Sequence, residues 1–159
     1  MRPEVDWHDT IRIRNLRATD LSFTLKWRNE SRRAFFDMDE ITMKEHREWF
    51  RKHECKDSEH VFLIEYDGEP VGQMAIYDIV GTDAEFGRLV LDKDHQHCGI
   101  AHRAVRLLLA NLYDFTLRLT VKRESARAIK LFEDCGFRRD NEGSVRNILR
   151  MVRRPYLPR

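Results

Sequence analysis

Apolar and basic residues largely alternate in IRIRNL, where Ile11, Ile13 and Leu16 are apolar. That alternation predicts a strand with one buried face. Ala18-Thr19-Asp20 supplies a helix start, and a first helix is predicted over residues 21–29. Residues 31–39 read as irregular and carry two adjacent aromatics, Phe35 and Phe36. Thr42-Met43-Lys44-Glu45 forms a capping box that opens a helix to about residue 53, with Trp49 and Phe50 on its apolar face. From His60 the period changes to two. VFLIEY, Asp67-Gly68 and PVGQMAIYDIV predict a tight β-hairpin. Gly81-Thr82-Asp83 marks a second turn, and AEFGRLVL (84–91) completes an antiparallel meander. The second half alternates. A helix is predicted from Gly99 to about residue 113, a strand over 117–121, and a helix over 125–135 stopped by Gly136. One or two strands close the chain through residues 145–152. This order predicts an α/β domain with a mixed sheet.

Composition narrows the class. The 159 residues suit a single domain, spanning 1–159. A hydrophobic share of 42% excludes wholesale disorder, and 35% charged residues with a mean hydropathy of -0.63 exclude a membrane bundle. The 29 basic and 27 acidic residues leave +2, far from the balance of a nucleic-acid binder. Seven arginines against two acids follow Phe137, and a solvated edge or tail is the simpler reading of that excess. Cys55, Cys98 and Cys135 form no disulfide framework and no C-x-x-C pair, and the first residues show no apolar leader. A reducing cytoplasmic setting is therefore expected.

The chemistry concentrates in LVLDKDHQHCGIAHRAV. A strand runs through a loop into a helix whose first turn holds Gly99 and Ala101. Small residues let a ligand approach the backbone, and the first helical N–H groups have no intrahelical acceptor. With the helix dipole, this suits a pyrophosphate. His95, His97, Cys98 and His102 also cluster here, but H-x-H-C-x-x-x-H matches no common structural zinc spacing, and no metal is expected.

Gln96-His97-Cys98-Gly99-Ile100-Ala101 resembles the Q/R-x-x-G-x-G/A motif of the GNAT acetyltransferase superfamily. VKRESARAIKLFEDCGF (121–137) is similar to that family's V-x-x-x-N-x-x-A-x-x-L-Y-x-x-x-G-F segment. Val121, Ala128, Leu131, Gly136 and Phe137 fit, whereas Ser125 stands for Asn and Phe132 for Tyr. The resemblance implies a GNAT fold: a mixed, mostly antiparallel central sheet flanked by about four helices. It implies acetyl-CoA as co-substrate. Gln96, His97, Cys98, Gly99, Ile100, Ala101 and His102 would hold its pyrophosphate. The backbone of Leu89, Val90 and Leu91 would hold its pantetheine arm, with Ser125 and Phe132 beside it. Phe132 has no hydroxyl to protonate a departing thiolate, so the thiolate is expected to leave unaided or to be protonated through water, with Tyr77 or Tyr113 as substitute acids.

Acetyl transfer needs a neutral amine, an oxyanion donor and a leaving thiolate. Glu85 resembles the general base of some family members, and its other reading is an edge carboxylate paired with a base such as Arg88. A backbone N–H near Leu89 or Val90 would hold the oxyanion. Upstream, WRN (27–29) and I-T-x-x-E-H-x-x-W-F (41–50) resemble a branch that acetylates nucleotide-linked amino sugars, with relatives among ribosomal-protein N-terminal acetyltransferases. That likeness makes Arg28, Asn29, Phe36, His46 and Trp49 candidate acceptor contacts and a nucleotide sugar the expected acceptor. A peptide N-terminus, another small amine such as an antibiotic, or a silent acetyl-CoA-binding module are the alternatives. A homodimer is plausible for the superfamily.

Overall fold

The computed structural model describes residues 10–31 and 39–155. One seven-stranded sheet has the order β1-β2-β3-β4-β5-β7-β6. Its strands are β1 (Ile11–Asn15), β2 (His60–Tyr66), β3 (Glu69–Val80), β4 (Asp83–Leu91), β5 (Thr116–Lys122), β6 (Arg138–Val145) and β7 (Ile148–Arg153). Among the described residues, only β4 and β5 pair in parallel. The helices are α1 (Leu21–Glu30), α2 (Met43–His53), α3 (Ile100–Asn111) and α4 (Ala126–Asp134). This is the mixed sheet that the residue pattern predicts, and the mostly antiparallel arrangement with about four helices that the resemblance implies.

Alternation along the strands divides the core in two. On β2, Ile64 joins the larger cluster, with Val105 and Leu108 of α3 and Ile129 and Phe132 of α4. Its neighbour Leu63 points the other way, to Leu21 and Trp27 of α1, with Trp49 and Phe50 of α2 packed alongside. Adjacent strand residues face opposite sides, so one sheet supports a helix pair on each face.

Local signals decide the ends of these elements. Asp67 and Gly68 both have positive φ, at 49° and 84°, as a two-residue hairpin turn between right-twisted strands requires. Thr42 Oγ1 accepts the Glu45 N–H at 3.2 Å, while Glu45 Oε2 accepts the Thr42 N–H at 2.7 Å. The predicted capping box is thus formed. Gly136, at φ 96°, ends α4, with the Phe137 N–H donating back to the Phe132 carbonyl at 2.9 Å.

A buried charge anchors the start of α1. Asp20 is 4% exposed and accepts from both Arg14 Nη atoms, at 2.8 and 2.9 Å, and from the Arg17 N–H at 2.8 Å. Arg14 Nε also donates to Glu65 at 2.6 Å. The Arg14 hydrogen bond holds the Asp20 carboxyl below its usual range, against the cost of burial. A depressed folded-state pKa contributes stability that is present above the unfolded value, about 3.9, and lost as pH falls through the folded value. Asp20→Asn is therefore expected to cost about 2 kcal/mol at pH 7, leaving Arg14 with Glu65 as its one carboxylate partner. In urea melts the gap between variant and wild type should narrow as the pH drops below about 4; a gap independent of pH would contradict the assignment.

Candidate active site

The parallel pairing of β4 with β5 covers only Asp83↔Thr116, Ala84↔Leu117 and Glu85↔Arg118. Beyond Glu85 the register ends, and β4 keeps pairing only with β3. That ladder also slips: Gly87 faces Ala75 and Val90 faces Gln73, so Arg88 and Leu89 together oppose Met74. The result is a bulge, and Arg88 takes φ 54°, rare for a residue with a side chain. β3 approaches closely just after it, where a Cβ on Gly72 would lie 2.6 Å from the Val90 carbonyl.

The gap opens into a cavity of about 670 Å³ lined by Leu89, Val90, Leu91, Gln96, His97, Gly99, Ala101 and His102. Ser31 and residues Arg127, Ala128, Lys130 and Leu131 of α4 complete it. Gly99 precedes α3 at φ 86°, and the first helical bond runs from the Arg103 N–H to the Gly99 carbonyl. The amides of residues 100–102 therefore precede the helical ladder, at its positive end. Gln96 braces this loop, its Nε2 donating to the Leu91 carbonyl at 2.9 Å. From α4, Arg127 reaches His97 and brings a permanent charge to the loop. His102 lies 3.1 Å from Asp134, and that hydrogen bond holds the Asp134 carboxyl low against the cost of desolvation, with Lys130 adding to the effect.

Four residues expected at the cofactor do not line this cavity with their side chains. Ile100 is 3% exposed and belongs to the core. Cys98 is exposed, its thiol turned onto the His95 carbonyl at 2.9 Å. Ser125 occupies the N-cap position of α4 but its hydroxyl makes no capping bond, and it does not line the cavity. Phe132 is buried edge-on against Phe86 and Phe137, with both ring centroids at 5.8 Å. An apolar ring at this position completes the core rather than the cavity wall.

On the opposite face, Glu85 is held by both Nη atoms of Arg150, one at 3.0 Å from Oε2. Its basic partner is thus on β7 and is not Arg88. Arg88 instead donates to Glu59 at 2.9 Å, and its guanidinium lies 4.6 Å from the centre of the Tyr77 ring and 5.5 Å from that of Trp49. Tyr77 faces Glu85 across the β3–β4 register. Burial, then the Glu85 charge, pushes its phenol up and keeps it protonated. Tyr113 is 64% exposed just after α3, where its carbonyl accepts from Arg153 at 3.3 Å.

Two expected acceptor contacts are internal struts. His46 is 4% exposed, 2.7 Å from the Thr24 hydroxyl, and stacked on Trp49 at 5.4 Å. Burial, then the Arg28 charge, lowers its pKa. Asn29 exchanges two hydrogen bonds with the Ile41 backbone, at 2.9 and 3.0 Å, and joins the two ends of the α1–α2 connection. Phe36 lies outside the described residues. No group of side chains able to hold a metal ion occurs among the described residues. No helix among them is long and apolar enough to cross a membrane.

Residues 24–137 match the model of the Acetyltransferase (GNAT) family. The chain is 29% identical over 160 aligned residues to the spermidine N(1)-acetyltransferase of Escherichia coli K12, an alignment that covers 89% of this chain and 84% of that protein. The spermidine N-acetyltransferase of Vibrio cholerae, solved with CoA and spermine, superposes with a TM-score of 0.79 at 23% identity, over 89% of this chain and 94% of that one. A dodecameric structure of a spermidine N-acetyltransferase from the same organism gives 0.74 at 22% identity, covering 89% and 92%.

Proposed function

The chain belongs to the acetyltransferase (GNAT) family and has its fold, and from that premise we propose that it moves the acetyl group of acetyl-CoA to a small aliphatic amine of the polyamine class. The observation that carries the reading is the β4–β5 separation after Glu85, which leaves one cavity open to the backbone of Leu89–Leu91 and to the amide end of α3. The residues present fit the donor. Pyrophosphate would meet the amides of residues 100–102, with Arg127 beside them. Gly99 and Ala101 leave room for its approach, and the apolar walls at Leu89 and Leu131 suit the pantetheine arm.

The reaction is direct attack. An aliphatic ammonium titrates near ~10, so it must lose a proton before it attacks. Glu85, held in one orientation by Arg150, takes that proton directly or through one water. The new N–C bond forms while the carbonyl oxygen gains charge beside the bulge amides at Leu89 or Val90. The C–S bond then breaks. Phe132 offers no proton, so the thiolate, with a thiol pKa of about 8.5, takes its proton from water.

The polyamine class rests on the spermidine-acetylating relatives. One structural observation favours the second reading, a nucleotide-linked amino sugar: Glu59 and Glu85 are both already paired with guanidinium groups. Such pairing suits an acceptor with less positive charge. Ranking kcat/KM for spermidine, N-terminal peptides, aminoglycosides and UDP- and dTDP-linked amino sugars decides between them. Spermidine is expected to lead. A leading nucleotide sugar would establish the second reading, and activity on peptides alone would reject both.

A further inference from the structure

We propose that Glu59 is a positioning residue for acetyl transfer, acting through Arg88 to fix the β4 bulge; the inference rests on the function proposed above. Glu59 lies just before β2, and its carboxylate side chain is 8% exposed. One oxygen meets Arg88 Nη1 at 2.9 Å, and the other meets His53 Nδ1 at 2.5 Å and Lys56 Nζ at 3.5 Å. Arg88 is the bulge residue with φ 54°. A residue with a side chain holds such a conformation only when its surroundings over-determine it. Here Glu59 fixes the end of the guanidinium, which lies over the Tyr77 and Trp49 rings. Trp49 is in turn stacked with His46 and with His53, at 5.4 and 5.3 Å. The arrangement therefore runs from α2 and the turn before β2 to the backbone amides assigned to the oxyanion. Glu59 touches no reacting atom in this scheme.

Glu59→Gln and Arg88→Gln are to be made in the full chain, singly and together, with Arg88→Lys as the conservative variant. Each Gln variant should lower kcat about tenfold while the KM for acetyl-CoA stays within about twofold, because the pyrophosphate loop is untouched. The double variant should be no worse than the poorer single one, as expected of residues acting in one chain of contacts. Arg88→Lys should keep most activity, since it keeps the charge opposite Glu59. Amide hydrogen exchange of the free protein needs no turnover. It should speed up about tenfold at residues 88–90 in Glu59→Gln and stay unchanged at residues 84–86.

Unchanged exchange at the bulge, uniform loosening of the whole sheet, or losses in kcat that multiply would overturn the inference. If Glu59→Gln does not fold, Arg88→Lys decides: activity as poor as that of Arg88→Gln rejects the ionic anchor. A wild type that acetylates no amine would defeat the proposed function alone, and the exchange measurement would still settle whether Glu59 holds the bulge.

Discussion

Ala101→Glu is expected to abolish measurable acetyl-CoA binding without weakening the fold. Ala101 lines the cavity in the first turn of α3. A carboxylate there faces the positive end of the helix, an interaction that stabilises a helix by about 0.3–1 kcal/mol. The same carboxylate would occupy the space assigned to the pyrophosphate and repel it. The dissociation constant should rise at least about 100-fold, or about 2.7 kcal/mol, while the melting temperature holds or rises slightly. Calorimetric titration beside a thermal melt reads both. Opposite signs of the two effects separate loss of a binding site from loss of structure. Unaltered affinity would mean that this helix end does not hold the donor.

Glu85→Gln should lower kcat about 100-fold, the lower range for removal of a general base. The KM for acetyl-CoA should not change, because Glu85 lies where β4 last pairs with β5, away from the phosphate loop. The loss should shrink as pH rises toward ~10, where the amine arrives already deprotonated. A variant with wild-type kcat across pH would make Glu85 only the partner of Arg150. A loss that is the same at every pH would point to a displaced Arg150 rather than a missing base.

Elements governed by local rules were legible in the chain. The Asp67-Gly68 hairpin, the Thr42–Glu45 box and the Gly136 stop each depend on residues within a few positions of one another. The passage from β4 through Gly99 into α3 was legible for the same reason. What escaped was long-range. Glu85 and Arg150 are 65 residues apart, Glu59 and Arg88 29 apart, and His97 and Arg127 30 apart. No periodicity relates such pairs, and in a chain with 35% charged residues the number of possible partners is large. The bulge escaped too. EFGRLVL reads as a plain strand, and the slip is visible only against β3. His46 and Asn29 lie in a segment that resembles an acceptor motif, yet their polar atoms serve helix packing and a loop closure. A polar residue in a motif looks the same from the sequence whether it faces a ligand or a neighbouring backbone.

The central claim is that the β4–β5 gap presents acetyl-CoA to an amine. Its most direct test is mass spectrometry of products formed from spermidine and acetyl-CoA by wild type, Glu85→Gln and Ala101→Glu. The account predicts a product one acetyl group heavier, matched by free CoA, from wild type, with little from either variant. Equal product from wild type and Ala101→Glu, or none from wild type with any amine of the panel, would contradict it.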